Sequence, residues 1–305
     1  MQDFINVLVS IVIPYYNKND TILRSVNSVL SQTYTNWELI IIDDFGQDKL
    51  DDGTLPKDPR IKTYFNDANL GAGRTRQKGQ ELAKGQYIAF LDADDWWDIR
   101  FLDTCLKRLI NKSDCAGAYA KSLVIKEGGL RHERRYSNLG LTQIRETLIN
   151  YARPWQTGGI LWNIEFNGDW GTLKTNEDSW FEFKASTKAN LFAFVNETLY
   201  YVDATGSEHL SNNIGSNQSV LDQQELFLMV YKDFWNTLSL KYKIILYHRL
   251  IRGQLKIHEN CPLEAPEMGS KLIMLNKWIF TSHQSPIILK IIQKCLQKSP
   301  YKIHF

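Results

Sequence analysis

The sequence is poor in cysteine and has no cysteines spaced to bind a metal. Its cysteines lie far apart, without a CxxC pair or a closely spaced histidine: Cys105, Cys115, Cys261 and Cys295. Zinc sites need closely spaced ligands, and disulfide frameworks belong mainly to short secreted chains. We therefore expect reduced thiols in a cytoplasmic protein, with neither a zinc site nor a disulfide framework.

Long apolar runs are also missing. No stretch is long enough to cross a bilayer, and the opening residues, MQDFINVLVS, lack the basic and apolar regions of a cleavable signal peptide. These two absences lead us to expect a protein that stays inside the cell.

Acidic residues are absent after Glu267, although six lysines follow it, so a basic tail joins an acidic body. Lys290, Lys294 and Lys298 recur every four residues in the segment 286–298, with isoleucines on the other side of a predicted helix. Such a helix suits an anionic membrane surface, but its apolar side could equally pack on the protein or on a second subunit. We expect no nucleic-acid partner, because nucleic-acid binders carry their basic surface on the folded body.

The first part of the chain alternates strand patterns with helical patterns. Apolar β-formers fill 7–13, 37–42 and 87–91, and amphipathic helical patterns lie between and after them. This order predicts a parallel, doubly wound sheet, in which ligands bind beyond the carboxyl ends of the strands. Tyr16 and Asp44 follow two of these strands. We expect such residues to converge on one crevice.

The segment YIAFLDADDWW, residues 87–97, places three carboxylates directly after an apolar strand. Asp92, Asp94 and Asp95 repel one another and cannot form a core. A hard cation such as Mg²⁺ or Mn²⁺ would neutralise them and complete its coordination with phosphate oxygens. An acidic surface turn is the competing interpretation, since a DxD pattern is common by chance.

Five sequence blocks, taken in order, carry the most specific pattern in the chain: VSIVIPYYN, SVLSQTYTNWELIIIDD, NLGAGRTRQKG, ELAKGQYIAFLDADD and TNEDSW. Together they resemble the family 2 glycosyltransferases. The resemblance implies the GT-A, or nucleotide-diphospho-sugar transferase, fold of the α/β class. It predicts a mainly parallel central sheet flanked by helices in a catalytic domain over 1–215, and a helical C-terminal extension over 216–305.

The resemblance also implies roles for individual residues. Those that would bind the nucleotide sugar are Pro14, Tyr16, Asp44, Arg76, Asp92 and Ala93. Asp94 would hold Mn²⁺ or Mg²⁺, with His209 as a looser match for a second ligand. Asp178 would be the base that takes the proton from the acceptor hydroxyl, and Glu177 and Trp180 would contact the acceptor.

Two departures from the family pattern concern the nucleotide site. After Asp43 and Asp44 the family usually has Gly-Ser-Thr-Asp, whereas this chain has Phe-Gly-Gln-Asp at 45–48. The Ala-Arg-Asn block reads Thr-Arg-Gln at 75–77, which keeps only the arginine. The shape of the base-binding loop is therefore left open.

Each assignment has a plain structural alternative. Glu177 and Asp178 could be first-turn acids favoured by the helix dipole. Arg76 could lie on a solvated helix face, and His209 could be an ordinary surface residue. Trp180, like the other large aromatics near it, could belong to the core.

The resemblance implies an inverting, metal-dependent glycosyltransferase. It would move a sugar from a nucleoside-diphosphate sugar to a hydroxyl of a glycan or lipid-linked acceptor, in cell-surface polysaccharide or lipopolysaccharide synthesis. The protein would be cytoplasmic, and one alternative is a peripheral position on the inner face of the cytoplasmic membrane. The alternatives are a catalytically inactive sugar-nucleotide binding partner and a nucleotidyltransferase of related fold. The latter would carry a basic glycine-rich loop after the first strand, where this chain has Tyr-Tyr-Asn-Lys at 15–18.

Overall fold

The computed structural model describes residues 7–109, 112–129, 131–133, 140–150, 153–205 and 217–260. The chain divides into two compact units, 1–214 and 215–305. The described strands all belong to the first unit: β1 (Val9–Tyr15), β2 (Trp37–Asp43), β3 (Ile61–Phe65), β4 (Tyr87–Phe90), β5 (Trp96–Trp97), β6 (Cys115–Lys126), β7 (Arg131–Glu133), β8 (Leu141–Gln143), β9 (Ile160–Asn163) and β10 (Leu191–Ala204). The helices of the first unit are α1 (Asn19–Leu30), α2 (Ala72–Leu82), α3 (Phe101–Leu109), α4 (Ile144–Ile149) and α5 (Glu177–Ala185).

The strands form one mixed sheet in the order β3-β2-β1-β4-β9-β6-β10-β5, with β7 on β6 and β8 on β10. The longest ladders are parallel: β1 with β2 and β4, β2 with β3, and β6 with β10. The ladders that attach β5, β7, β8 and β9 are short and antiparallel. The prediction of an α/β fold with a mainly parallel sheet is confirmed.

The strand β9 runs opposite to both of its neighbours, which the sequence did not predict. It pairs Leu161 with Ala89 of β4 and Asn163 with Tyr87. Its first residue therefore lies at the edge where β4 ends, so the segment leading into β9 crosses the carboxyl edge of the sheet. This places residues 153–159 beside the predicted site.

Sequence pattern explains the burial of the first strands. Every residue of β2 is buried, as the continuous apolar run predicted for a strand covered on both faces. Helix α2 lies close against β1, because Gly79 faces Val12 and a Cβ atom at Gly79 would be 2.3 Å from Val12 Cγ1. This close approach fixes where Arg76, one turn earlier in α2, can reach.

An aromatic cluster packs around α5. Trp170 stacks on Phe181 at 4.4 Å between ring centroids, and Phe90 of β4 meets both rings edge-on. Trp162 of β9 contacts Phe181 at 5.0 Å. Aromatic pairs in such offset and edge geometries stabilise packing beyond their buried area. The cluster therefore anchors α5, whose first turn carries Glu177 and Asp178, against the sheet.

Two sequence patterns differ from the structure. The apolar runs at 192–195 and 199–202 predict two short strands, but both belong to one strand, β10, in which register shifts after Val195 keep a single ladder with β6. The pattern that follows Thr175 predicts a helix to about residue 188, whereas α5 ends at Ala185. Cys105 and Cys115 are buried free thiols, and the other two cysteines lie outside the described residues.

The second unit is helical where it is described. Its helices are α6 (Asn217–Phe234) and α7 (Leu240–Asn260). They approach closely at Gly253, where a Cβ atom would lie 1.9 Å from Gln224 Oε1, and Gln224 Nε2 donates to Leu250 O at 2.8 Å. Within the described residues no helix is both long and apolar enough to cross a membrane. The predicted amphipathic helix at 286–298 lies outside them.

Candidate active site

The carboxyl ends of β1, β2 and β3 are tied to one another by main-chain hydrogen bonds. Asp44 N donates to Tyr15 O at 2.8 Å, and Asn66 N donates to Asp43 O at 2.8 Å. Pro14 lies opposite Ile42 in the β1–β2 ladder. The side chain of Tyr16, just beyond β1, is exposed at this edge. The predicted convergence of strand-end residues is present here.

Asp43 and Asp44 are buried, and their carboxylates hold two loops. Asp43 Oδ2 accepts from Leu50 N at 2.9 Å, which shapes the loop after β2. Asp44 Oδ1 accepts from Asn66 Nδ2 and Leu70 N, and Oδ2 accepts from Gly71 N, each at 2.8 Å. Asp44 thus connects β2 to the loop that begins α2. Its predicted nucleotide contact stays a prediction.

The turn after β4 distributes its acids among different partners. Ala93 is buried, and its carbonyl accepts from Thr21 Oγ1 at 2.9 Å. Asp94 Oδ2 lies 3.1 Å from Lys18 Nζ. Asp95 is buried and accepts from Tyr200 Oη and, at 2.9 Å, from Asp203 N. Burial, reinforced by the charges of Asp92 and Asp94, raises the pKa of Asp95 well above its usual value.

Arg76 bridges the acidic turn and the first turn of α5. Its Nη2 donates to Asp92 Oδ1 at 2.6 Å, and its Nη1 donates to Glu177 Oε1 at 2.9 Å. The guanidinium is buried and lies 5.0 Å from the centroid of the Trp170 ring. Burial acts to lower the pKa of Arg76, but the carboxylates of Asp92 and Glu177 outweigh it and raise that pKa. The solvated-face alternative for Arg76 is therefore wrong.

Asp178 is held by Arg153 and Thr157, on the segment that precedes β9. Asp178 Oδ2 accepts from Arg153 Nη1 at 2.5 Å and from Thr157 Oγ1 at 3.2 Å, and Oδ1 accepts from Ser179 N at 2.7 Å. Burial alone would raise the pKa of Asp178, but the Arg153 guanidinium outweighs it and holds that pKa below its usual value. The carboxylate is therefore ionised at neutral pH.

Two glutamates of α5 behave differently from Asp178. Burial, together with the charge of Asp178, raises the pKa of Glu177 to about 7 although Arg76 opposes it. Burial also raises the pKa of Glu182 to about 7, against the attraction of Arg153. Helix α5 therefore carries one ionised carboxylate, that of Asp178, and two acids that titrate near neutrality.

The acceptor predictions are corrected in part by burial. Only 5% of Trp180 is exposed, and its Nε1 donates to Asp169 Oδ1 at 3.2 Å. Its ring therefore belongs to the packed interior and not to an open sugar platform. Glu177 is bound by Arg76 in the interior of the site. His209 lies outside the described residues.

Sequence reasoning missed Arg153, Thr157 and Glu182. The signal that could have found them is the position of Glu182, four residues after Asp178 among aromatics on the buried side of α5. A buried acid requires a cationic partner, and Arg153 stands in the otherwise uncharged stretch RPWQTGG at 153–159.

The oxygen donors at the acidic turn fit a hard divalent cation. Asp92 and Asp94 are partly exposed, with 35% and 16% of their side chains accessible, whereas Asp95 is committed to Tyr200 and Asp203. Within the described ranges no three acidic, histidine or cysteine side chains form a ready metal site. A metal held by Asp94 would thus need ligand oxygens from a diphosphate or from water.

Comparison with known proteins decides the family. The sequence profile of Glycosyl transferase family 2 matches residues 10–174, more than half of the chain. The chain belongs to this family. The matched region contains β1 to β4, the acidic turn and Arg76, and it ends just before α5.

Curated glycosyltransferases match part of the chain. The UDP-Glc:α-D-GlcNAc-diphosphoundecaprenol β-1,3-glucosyltransferase WfgD of Escherichia coli is 37% identical over 124 residues, 40% of this chain and 49% of the relative. The putative teichuronic acid biosynthesis glycosyltransferase TuaG of Bacillus subtilis matches with the same identity and the same shares of the two chains. The chain spans about half the length of these curated relatives.

Solved structures show the same fold. The crystal structure of Staphylococcus aureus TarS has a TM-score of 0.58 at 17% identity, covering 81% of this chain and 43% of TarS. The structure of TarS 1–349 in complex with UDP-GlcNAc has a TM-score of 0.56 at 15% identity, covering 87% of each chain. At these identities the likeness concerns the fold alone.

Proposed function

We propose that this protein is an inverting glycosyltransferase that moves a sugar from a nucleoside-diphosphate sugar to a hydroxyl of a glycan or lipid-linked acceptor, in cell-surface polysaccharide synthesis. The observation that carries the proposal is the Arg76 bridge from Asp92 to Glu177, directly beside Asp178. It joins the predicted donor site to the first turn of α5, which also carries the predicted base. The names of WfgD and TuaG, which refer to a diphosphoundecaprenol-linked substrate and to teichuronic acid biosynthesis, support the substrate class and the pathway.

The chemistry follows from the proposed roles. The acceptor oxygen attacks the anomeric carbon on the face opposite the diphosphate and transfers its proton to Asp178. The bond from that carbon to the diphosphate oxygen breaks, and its electron pair leaves with the nucleoside diphosphate. A positioned base contributes about 10²- to 10⁴-fold to such a step, and Asp178 is ionised at neutral pH as a base must be. Attack opposite the leaving group inverts the anomeric configuration.

We further propose that Asp94, with Asp92 nearby, holds Mn²⁺ or Mg²⁺, and His209 remains a candidate ligand. When bound, such a cation would neutralise the charge that develops on the departing diphosphate. Arg76, already between two carboxylates, would add a fixed positive charge close to the nucleotide. Tyr16, exposed beyond β1, would contact the base.

A screen of nucleotide sugars by thermal shift tests the donor and metal proposals. We expect at least one uridine-diphosphate sugar to raise Tm in the presence of Mn²⁺, and Asp94→Ala to lose the Mn²⁺-dependent part of that increase. Asp103→Ala, which removes an acid of α3 paired with Lys107, is the matched control and should keep it. If no nucleotide sugar stabilises the wild type, the proposal is wrong.

A catalytically inactive nucleotide-sugar binding partner is the second candidate. The observation in its favour is the pairing of Asp178 with Arg153, which occupies the carboxylate proposed as the base. Asp178→Asn separates the two candidates. A transferase should lose about 10²- to 10⁴-fold in kcat while keeping its Tm response to nucleotide sugar. Unchanged turnover in this variant would favour another base, and an absence of turnover in the wild type would favour the binding partner.

A lipid-linked acceptor would bring the protein to the inner face of the cytoplasmic membrane. The basic amphipathic segment 286–298 is the proposed contact with anionic lipid. The name of WfgD refers to a diphosphoundecaprenol-linked substrate, which supports this proposal.

A further inference from the structure

We propose that Arg153 is a positioning residue for Asp178. Shared between Asp178 and Glu182, it fixes the carboxylate that receives the acceptor proton and stays paired with Glu182 after that proton arrives. The proposal rests on the proposed function and adds a residue outside every sequence block that indicated the family.

The geometry around Arg153 is that of one guanidinium serving two carboxylates. Its Nη1 lies 2.5 Å from Asp178 Oδ2, and its Nη2 lies 2.5 Å from Glu182 Oε1. Nη2 also donates to Thr157 Oγ1 at 3.1 Å, and that hydroxyl donates to Asp178 Oδ2. Asp178 and Glu182 are four residues apart in α5, so they project from the same helix face. Two donors therefore fix one oxygen of Asp178.

The two carboxylates differ in access. About 23% of the Asp178 side chain is exposed, against 2% of the Glu182 side chain. A hydroxyl proton approaching this face can therefore reach Asp178, whereas Glu182 lies behind it. Above about pH 7, where Glu182 is ionised, it is the counter-ion that orients Arg153 from the interior.

The net charge of the three side chains before and after proton transfer favours this division of roles. Above about pH 7, where both carboxylates are ionised, the three side chains carry a net charge of about −1. When Asp178 accepts a proton, Arg153 and Glu182 remain as a neutral ion pair, so no buried cation is left unpaired. Leaving such a charge uncompensated in the interior is strongly destabilising. Glu182 thus removes a penalty that would oppose proton transfer to Asp178.

The other charges facing Asp178 are on α2 and α5. Arg76 of α2 acts to lower the pKa of Asp178, and Glu177 is its neighbour in the first turn of α5. Neither contact is changed by substitution at residue 153 or 182. Variants at these two positions therefore test the Arg153 contribution separately.

The test compares the pH dependence of kcat/KM for three variants, with UDP-glucose and UDP-N-acetylglucosamine as donors. Arg153→Gln should move the acid limb up by about 1–2 pH units, because Asp178 loses its cation. Glu182→Gln should leave the limb near its wild-type position, because Glu182, whose pKa is about 7, is already protonated at the pH where Asp178 titrates. Arg153→Lys should keep the limb near its wild-type position but lower the plateau at least tenfold, because an ammonium cannot fork between two carboxylates.

Arg145→Gln is the matched control. Arg145 of α4 binds the other end of α5 through Ser186, with Nη2 donating to Ser186 O at 2.7 Å. Its loss should lower Tm without moving the limb. A purely structural role for Arg153 would produce the same result as this control.

A substrate-free measurement separates this proposal from the proposed function. In protein labelled with ¹³C at aspartate carboxyl groups, the Asp178 resonance is assigned by Asp178→Asn and titrated by NMR. Its midpoint should rise in Arg153→Gln and stay near the wild-type value in Glu182→Gln, even if neither donor is turned over. An unchanged midpoint in folded Arg153→Gln would overturn the role of Arg153, whatever the activity.

Discussion

Phe45 has a backbone conformation that is unfavourable for an aromatic residue. Its φ angle is 59°, and 54% of the side chain is exposed just beyond β2. A non-glycine residue in this region costs about 1–3 kcal/mol, and such strain tends to persist at ligand sites. The family pattern has glycine here. The exposed ring lies at the same edge as Tyr16, where the base is proposed to bind.

We predict that Phe45→Gly raises the free energy of unfolding by about 1 kcal/mol, because glycine adopts positive φ without strain. Urea denaturation measures this change. If the ring contacts the base, the same variant should show a smaller Tm increase with UDP than the wild type. Phe65→Gly is the control, since Phe65 is similarly exposed at the end of β3 and is not in a positive-φ conformation. It should be destabilised, and a destabilised Phe45→Gly would contradict the strain argument.

For single residues, the sequence indicated which side chains have a particular role more readily than it indicated which residues they contact. Asp43 and Asp44 were recognised as strand-end acids, yet the partners of Asp44 lie 22 to 27 residues further along the chain. Arg153 was missed because a single arginine in a loop carries no periodic signal. Its role depends on Asp178 and Glu182, whose positions follow only from the packing of α5.

Among the elements, α5 combines the predicted base with two acids held in the interior. Its residues pack on the aromatic cluster around Trp170 and Phe181, and this packing reduces the access of water to the carboxylates of the helix. The sequence predicted the helix and its first-turn acids. It did not predict that Glu182 is buried, because an acid one turn after Asp178 is also compatible with a solvated helix face.

We predict that Glu182 makes the protein less stable as the pH rises. The pKa of Glu182 is raised from 4.5 in the unfolded chain to about 7, so its contribution is fully present below pH 4.5 and is lost as the pH rises to about 7. The loss is on the order of 3 kcal/mol. Urea denaturation at pH 5 and pH 8 should therefore show a smaller decrease in unfolding free energy for Glu182→Gln than for wild type.

The control for this prediction is Glu146→Gln. Glu146 lies on α4, where its Oε2 accepts from Asn190 Nδ2 at 2.8 Å. It is therefore engaged away from the ion pairs of Arg153 with Asp178 and Glu182. This variant should retain the wild-type dependence on pH. If Glu182→Gln and the wild type lose equal stability between the two pH values, Glu182 is ionised in the folded protein at both and its burial has been compensated by Arg153.

Across the whole molecule, the order of strands and helices in the first part of the chain was predictable because each buried strand is a continuous apolar run. The direction of β9 was not, since the four residues ILWN fit a parallel or an antiparallel strand equally well. That direction matters for function, because it carries Arg153 and Thr157 past the carboxyl edge of the sheet. The proposed acceptor side of the site therefore depends on a topological feature without a local signal.

The basic tail supports the last prediction, which concerns membrane association of the whole chain. We expect the protein to bind vesicles that contain anionic lipid at low salt and to be released at high salt. Each lysine near such a surface contributes about 1 kcal/mol, and this attraction is screened within a Debye length. Reversing three charges by Lys290→Glu, Lys294→Glu and Lys298→Glu together should therefore weaken binding by at least about 100-fold in a sedimentation assay.

The matched control reverses Lys271, Lys277 and Lys302, which changes the net charge equally but leaves the segment 286–298 intact. Because an amphipathic helix also inserts its apolar side, this control should retain most of the vesicle binding. Equal losses in the two triple variants would indicate diffuse attraction to the tail without a docked helix. Wild-type binding that does not depend on salt or on anionic lipid would show that the basic face is not the contact.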